Sequence, residues 1–160
     1  MAKRLVHELT YDAPMADVAA MLADPSFREE VCDHQGVVRH LVSIDADDAG
    51  MSVTIDQVQE AHGIPSFAKK FVGDEINIVQ EETWTTPDEG VISMTIPGKP
   101  GEISGTARLT ESGGVTTETV DLTIQVGVPL DGGQIEGLIS HLLLKAYRAE
   151  NRVGRDYLAR

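Results

Sequence analysis

The feature that most constrains the fold is the last thirty residues of the chain. Asp131–Arg160 carries apolar side chains at intervals of three and four, which is the period of one face of an α-helix. This stripe consists of Ile135, Leu138, Ile139, Leu142, Ala146, Ala149, Val153 and Tyr157. A helix of about 26 residues is roughly 39 Å long at 1.5 Å per residue, long enough to cross a whole sheet. The rest of the chain must therefore supply a broad apolar surface for this helix to cover.

Segments with a period of two supply that surface. Lys3–Tyr11 alternates between two faces, which is typical of a half-buried strand. After Gly36 the same alternation recurs in six segments: Val37–Asp45, Met51–Gln59, Asp74–Thr86, Gly90–Ile96, Glu102–Thr110 and Val115–Val128. Short turns or loops separate most of them, which favours antiparallel pairing. We therefore predict an α+β layer architecture, in which the long C-terminal helix covers one face of a seven-stranded antiparallel sheet.

Three shorter helices are expected between the strands. Two lie between the first and second strands. The first has Asp12 or Ala13 as its cap and Pro14 near its first helical position, and it runs to about Ala23; the second is opened by the capping-box pattern Ser26–Glu29 and ends near His34. Pro65–Gly73 predicts one or two further helical turns. For the terminal helix, Asp131 and Gln134 are spaced as a cap pair.

Length and charge limit the classes of function. The 160 residues predict one domain, 1–160. Thirteen Lys and Arg against 26 Asp and Glu give a net charge of −13, which disfavours nucleic acid and stable membrane association. The chain contains no apolar run long enough for a membrane span, so we expect a cytoplasmic protein. The sequence carries no signal for oligomeric state.

No metal site or cofactor is predicted. Cys32 is the chain's one cysteine, so it can form no intrachain disulfide. Together with His34, His40 and His62 it matches no zinc-ligand spacing.

A set of local signatures, taken in order, resembles a known superfamily. The signatures are Asp12-Ala13-Pro14, Leu22-Ala23-Asp24-Pro25, Glu82-Thr83-Trp84, Pro97-Gly98-Lys99-Pro100-Gly101, Gly105-Thr106, Val128-Pro129-Leu130 and Gly132-Gly133. They resemble the START-like, helix-grip (SRPBCC) superfamily of polyketide cyclases and lipid-transport domains, and within it an uncharacterised bacterial family of unknown function. The resemblance implies a helix-grip fold, with the sheet curved around the long helix and a cavity between them that holds an apolar small molecule. It supplies no catalytic residues.

Strand alternation and the helix stripe predict which side chains line that cavity. The predicted lining is Val38, His40, Val42, Ile55, Gln57, Phe67, Phe71, Ile78, Gln80, Glu82, Trp84, Met94, Leu138, Leu142 and Ala146. Phe67 and Phe71 either cap the mouth of the cavity or pack in the core. The expected partner is a small apolar ligand such as a lipid, an isoprenoid or a polyketide-like molecule.

Five polar side chains share the inner face with apolar ones: His7, His40, Gln57, Gln80 and Glu82. A buried polar group costs free energy unless it is hydrogen-bonded, so each needs a protein partner, water or a ligand, or a bulge that returns it to solvent. Desolvation in a cavity would raise the pKa of Glu82, which would make it the candidate general acid or base.

Three functions remain open at this point. The first is binding or transport of a small hydrophobic ligand, which the sequence favours. The second is an enzyme (a cyclase, dehydratase or hydrolase) that uses Glu82 or an inner histidine. The third is an interaction module whose interior is filled by its own side chains.

Overall fold

The computed structural model describes residues 2–61 and 64–160. His62, which the sequence argument considered as a metal ligand, lies outside these residues, as do Met1 and Gly63. In chain order the elements are β1 (Ala2–Tyr11), α1 (Met15–Leu22), α2 (Pro25–His34), β2 (Arg39–Asp47), β3 (Gly50–Glu60), α3 (Ser66–Val72), β4 (Glu75–Thr86), β5 (Glu89–Thr95), β6 (Glu102–Ser112), β7 (Val115–Gln125) and α4 (Gly132–Leu158).

The strands of the described chain form one seven-stranded antiparallel sheet in the order β1-β7-β6-β5-β4-β3-β2. From β2 to β7, each strand pairs with the strand that follows it in sequence. β1 pairs with β7, and Leu5 lies opposite Leu122. The connection from β1 at one edge to β2 at the other carries α1 and α2. The predicted fold class is confirmed.

One face of the sheet forms the core, as the alternation predicts. The inward residues of β6 and β7 are among the most buried in the protein: Ile103, Ala107, Leu109, Val120, Leu122 and Ile124. Their chain neighbours on the outer face are exposed or half-buried. The core cluster is completed by α1, by Phe27 and Val31 of α2, and by Tyr147 and Val153 of α4.

The first turn of α4 is fixed to the end of β7. The Glu136 carboxylate accepts a hydrogen bond from the Val126 N–H at 2.9 Å, and Glu136 is 2% exposed. A Cβ on Gly132 would lie 2.7 Å from the Val126 carbonyl oxygen, so only glycine allows this close approach.

The last turns of α4 are fixed to the end of β1. Asn151 and Arg155 both donate to the Thr10 carbonyl oxygen, at 3.0 and 3.1 Å. Gly154 lies on the Tyr11 ring, where an added Cβ would come within 2.6 Å of Cε1. The two attachments leave the middle of α4 spanning the space between them.

Three predicted caps differ from the structure. Pro14 is the N-cap of α1, which begins at Met15. α2 begins one residue earlier than Ser26, because Pro25 occupies its first position, where its missing N–H costs nothing; Asp24 is the cap and accepts the Ser26 N–H at 2.9 Å. Asp131 makes no side-chain cap bond, because its backbone is already helical and not extended.

Two glycines of α4 provide a test of the contact with β1. Gly137→Ala meets no atom within 4 Å, so the gain in helix propensity should raise the free energy of unfolding by about 0.5–1 kcal/mol. Gly154→Ala drives a methyl group into the buried Tyr11 ring and should lower that free energy by about 1–3 kcal/mol. Urea denaturation followed by circular dichroism measures both. Equal changes in the two variants would show that α4 does not depend on the Gly154–Tyr11 approach.

Candidate ligand-binding cavity

A cavity of about 680 Å³ lies between the sheet and α4. Its walls come from β3 to β6 on the sheet side and from α2, α3 and α4 on the other. Most of the lining side chains are apolar: Val31, Cys32, Ile55, Ile64, Ala68, Phe71, Val72, Ile76, Ile78, Met94, Ile96, Ile103, Ile135, Leu138, Ile139, Leu142, Leu143, Ala146, Tyr147 and Ala149.

The packing of the helices explains where the cavity forms. α4 packs on β1 and β7, and α2 packs on β2 and against α4. The inner face of the strands between these contacts therefore borders open space. The volume lies within the range of small-molecule sites, about 300–1,000 Å³.

The polar part of the wall differs between the two ends of the cavity. Lys145, Arg148 and Arg152 of α4 line the cavity and are exposed to solvent, which marks the open side. Arg28 and Tyr147 also line it but are 3% and 6% exposed, which marks the inner end.

Nine of the fifteen residues predicted to line the cavity are on its wall: Ile55, Gln57, Phe71, Ile78, Gln80, Met94, Leu138, Leu142 and Ala146. The other six, Val38, His40, Val42, Phe67, Glu82 and Trp84, are not among the lining residues.

His40 and Val42 of β2 lie off the cavity wall because α2 packs on that strand. His40 Nε2 pairs with Asp33 of α2 at 2.9 Å, and Val42 packs in a cluster with Cys32. Val38 precedes the strand and is 44% exposed. Strand alternation predicts the face of the sheet on which Val42 lies, but it does not predict which element packs against that face.

Two aromatic residues are core residues instead of cavity lining. Phe67 packs with Phe71 and Ile135 in the cluster beside α3. Trp84 is 3% exposed and lies against Gly90, where a Cβ would come within 2.5 Å of the indole ring.

Glu82 lies at the centre of a buried hydrogen-bond network. Arg28 Nη1 and Nη2 each donate to one of its carboxylate oxygens at 2.9 Å, and Arg28 Nε donates to the Leu22 carbonyl oxygen at 2.9 Å. Gln80 and Trp84, which flank Glu82 on the same face of β4, donate to it from either side. Both charges are almost fully buried, at 3% and 4% exposure.

This network makes Glu82 a poor general acid. Burial by itself would raise the pKa of Glu82, but the charge of Arg28 and the hydrogen bonds from Arg28, Trp84 and Gln80 outweigh it and hold the pKa below its ordinary value. The expectation of a raised pKa was wrong, because it treated the carboxyl without its partner.

Two other carboxyls near this network have raised pKa values. Burial and the carboxylates of Glu150 and Glu82 raise the pKa of Glu118 to about 8. Burial also raises the pKa of Glu150 to about 7, against the opposing effect of Arg28. Glu118 is 4% exposed and its Oε1 has no hydrogen-bond partner in the described structure. Arg28 therefore pairs with Glu82 and also acts through its charge on Glu118 and Glu150.

The sequence argument missed Arg28, Glu118, Tyr147 and Glu150. Glu118 could have been found, since it lies two residues before Val120 and so shares the inward parity of β7. Tyr147 and Glu150 lie one helical turn from Leu143 and Ala146, which line the cavity. No pattern in the short helix α2 identifies Arg28, whose partner is 54 residues away.

The remaining inner-face predictions concern His7 and the metal ligands. His7 is half-buried on the same face as Leu5 and Leu9, and burial together with the charge of Arg148 lowers its pKa. Cys32 is buried, and burial raises the pKa of its thiol to about 11. In residues 2–61 and 64–160 no three His, Cys, Asp or Glu side chains are grouped so that they could hold a metal ion. Within the same ranges no helix has the length and hydrophobicity to cross a bilayer.

The sequence profile of one family, described as "Protein of unknown function (DUF2505)", matches residues 6–158. The chain belongs to this family. An uncharacterised protein of Mycobacterium tuberculosis (strain ATCC 25618 / H37Rv) is 33% identical over 113 residues. That match spans 66% of the DUF2505 chain and 64% of the length of the mycobacterial protein.

Solved structures show the fold of the DUF2505 chain in other proteins. The di-domain ARO/CYC StfQ from the steffimycin biosynthetic pathway matches with a TM-score of 0.68 and 11% identity, over 99% of this chain and 51% of that one. A norcoclaurine synthase point mutant from Thalictrum flavum, in complex with a transition-state analogue, matches with a TM-score of 0.66 and 15% identity, over 98% and 96%. Both have the helix-grip, START-like fold, which confirms the predicted resemblance.

The buried ion pair predicts a non-additive mutant series. Arg28→Met leaves the Glu82 carboxylate buried without its cation and should lower the free energy of unfolding by about 3–5 kcal/mol. Adding Glu82→Leu removes the stranded charge and should restore most of that loss. Urea denaturation followed by circular dichroism measures the series. Arg4→Met, which breaks the exposed pair with Asp121, is the control and should have little effect. A double variant no more stable than Arg28→Met would contradict this account.

The raised pKa values predict that stability falls as the pH rises from about 5 to about 8. Over this window the folded protein keeps protons on Glu118 and Glu150 that the unfolded chain releases, so unfolding becomes more favourable at higher pH. The lowered pKa of Glu82 acts only at acid pH, where protonation weakens the folded state.

Glu118→Gln removes one of these titrations and should gain stability relative to the parent protein as the pH rises. Urea denaturation at about pH 5 and about pH 8 measures the difference. Glu81→Gln, on the exposed face of β4, is the matched control and should run parallel to the parent. A Glu118→Gln profile that also runs parallel would show that Glu118 is ionised in the folded protein.

Proposed function

We propose that the chain binds a small, largely hydrophobic molecule in the cavity between the sheet and α4. The observation that carries this proposal is the cavity itself: about 680 Å³ of space with a mostly apolar wall, charged side chains at its two ends, and glutamines such as Gln57 and Gln80 on the sheet side. Ligand sites in proteins combine these properties, since apolar walls provide affinity and a few polar groups fix the orientation.

The cavity also separates this proposal from the ligand-free alternative. An interaction module would fill its interior, because an empty space forfeits dispersion contacts along its whole wall. Here the side chains of β4 and α4 face each other across a gap that the protein does not close, although nearby inward residues such as Val120 and Leu122 are fully buried.

The composition of the wall indicates the ligand class. Aliphatic and Met side chains outnumber aromatic ones: Phe71 and Tyr147 are the aromatic members of the described lining. This supports an aliphatic or alicyclic molecule such as an acyl chain or an isoprenoid over a flat aromatic one. The sheet and α4 enclose the cavity together, which supports treating 1–160 as one functional unit.

A pair of adjacent residues on β4 tests the location of the site. Ile78 lines the cavity, whereas Val79 follows it in the strand and therefore points to the opposite face. Ile78→Trp should fill part of the cavity and weaken binding of the uncharged probe N-phenyl-1-naphthylamine by about tenfold or more, equivalent to about 1.4 kcal/mol. Val79→Trp should leave the affinity within about twofold.

Both affinities are measured by the rise in probe fluorescence at fixed protein concentration. Each variant carries one added indole, so optical effects of the substitution cancel. Native mass spectrometry of the parent protein, purified from its own host, should show a bound small molecule that Ile78→Trp lacks. Saturable probe binding that is equal in the two variants would place the site outside this cavity.

A further inference from the structure

The inner end of the cavity carries a hydroxyl group with no partner. Tyr147 is 6% exposed, lines the cavity, and its Oη forms no hydrogen bond within the described structure. Burying a hydroxyl group without a hydrogen-bond partner destabilises the folded protein. A phenylalanine at position 147 would avoid that destabilisation. The presence of a tyrosine is therefore best explained by a hydrogen-bond partner that enters through the cavity.

The charges around Tyr147 limit what that partner can be. The groups that act on it are Glu150, Glu82, Glu118 and Arg28. The positive charge of Arg28 is already matched by Glu82 through two hydrogen bonds. Arg28 is the buried cation of the described cavity wall, so a ligand carboxylate at this end would have no counter-charge left to pair with.

A cationic group is disfavoured at the other end. Lys145, Arg148 and Arg152 line the open side of the cavity, so an ammonium ligand would have to pass three positive side chains. The pKa values of Glu118 and Glu150 are raised to about 8 and about 7, so near neutral pH these carboxyls do not supply two full negative charges to balance an ammonium group. An uncharged group that both donates and accepts hydrogen bonds fits these surroundings best.

We propose that the inner end of the cavity is a hydrogen-bonding subsite for an alcohol, in which Tyr147 Oη bonds to the hydroxyl oxygen of an otherwise apolar ligand. This inference rests on the proposed function, and it assigns the ligand class as a hydrophobic alcohol that enters with its hydroxyl group first. Glu150 lines the same cavity three residues further along α4, so its carboxyl group is a second candidate partner for that hydroxyl. Aliphatic side chains on the sheet, such as Ile55, Ile78 and Ile103, then contact the hydrocarbon part.

The test uses three ten-carbon probes that differ only in the head group: 1-decanol, decanoate and decylammonium. Each displaces N-phenyl-1-naphthylamine from the parent protein, Tyr147→Phe and Tyr157→Phe at pH 7. Tyr157 is the matched control, because it lies on the same helix but its hydroxyl bonds to Asp24 outside the cavity. The direct affinity of N-phenyl-1-naphthylamine for each protein reports whether the apolar cavity is intact.

The proposal expects 1-decanol to bind the parent protein most tightly of the three. Tyr147→Phe should weaken 1-decanol by about three- to tenfold, the effect of one hydrogen bond, while leaving N-phenyl-1-naphthylamine within about twofold. Tyr157→Phe should leave both affinities unchanged. The order of the three probes on the parent protein tests the proposal without any variant.

Two results would overturn the alcohol subsite and leave the proposed function standing: a preference for decanoate or decylammonium, or 1-decanol binding that Tyr147→Phe does not weaken while N-phenyl-1-naphthylamine still binds. If N-phenyl-1-naphthylamine binds none of the three proteins, the proposed function fails and the subsite fails with it.

Discussion

The ion pair between Arg28 and Glu82 is the interaction on which the interior depends. It joins the end of α1, the middle of α2 and the centre of β4 through three hydrogen bonds from one guanidinium. Two buried charges are stable there only because their hydrogen-bonding groups are paired. Gln80 and Trp84 donate the remaining hydrogen bonds to the Glu82 carboxylate. Arg28 is also the buried cation of the described cavity wall, and it is paired with Glu82. Burial raises the pKa values of Glu118 and Glu150, and the charge of Arg28 offsets this only in part.

The position of α4 follows from a different principle. Close backbone approach at Gly132 and Gly154 holds the two ends of the helix against β7 and β1. Between these points α4 need not touch the sheet, so the inner face of β3 to β6 borders a cavity. The helix-grip fold is shared with proteins of different activities, so it does not by itself assign a function. The lining of this cavity is more informative than the fold, because its apolar wall and unpartnered hydroxyl indicate the chemistry of a molecule that would fit it.

The sequence predicts what depends on local periodicity. The stripe of α4 and the alternation of the strands identify the fold class, the inner face and nine lining residues, since both signals are repeated over many positions. Apart from the helix caps and Val38, the departures concern contacts between distant segments. Val42 faces inward as predicted, but α2 covers it; Glu82 is buried as predicted, but Arg28 reverses the direction of its pKa shift. Strand parity could have placed Glu118 on the inner face, but its raised pKa depends on burial and on Glu150, which no local pattern pairs with it.

The indole of Trp84 has a practical consequence for studying this chain. It is the protein's one tryptophan, and its Nε1 donates to the same carboxylate oxygen of Glu82 that receives Arg28 Nη2. Fluorescence excited at the long-wavelength edge of the indole band, where tyrosine absorbs little, therefore originates at a single point, directly beside the paired charges. Displacement of α2 from the sheet, whether by heat, acid or an incoming molecule, is expected to register in the colour and intensity of that emission without any attached dye.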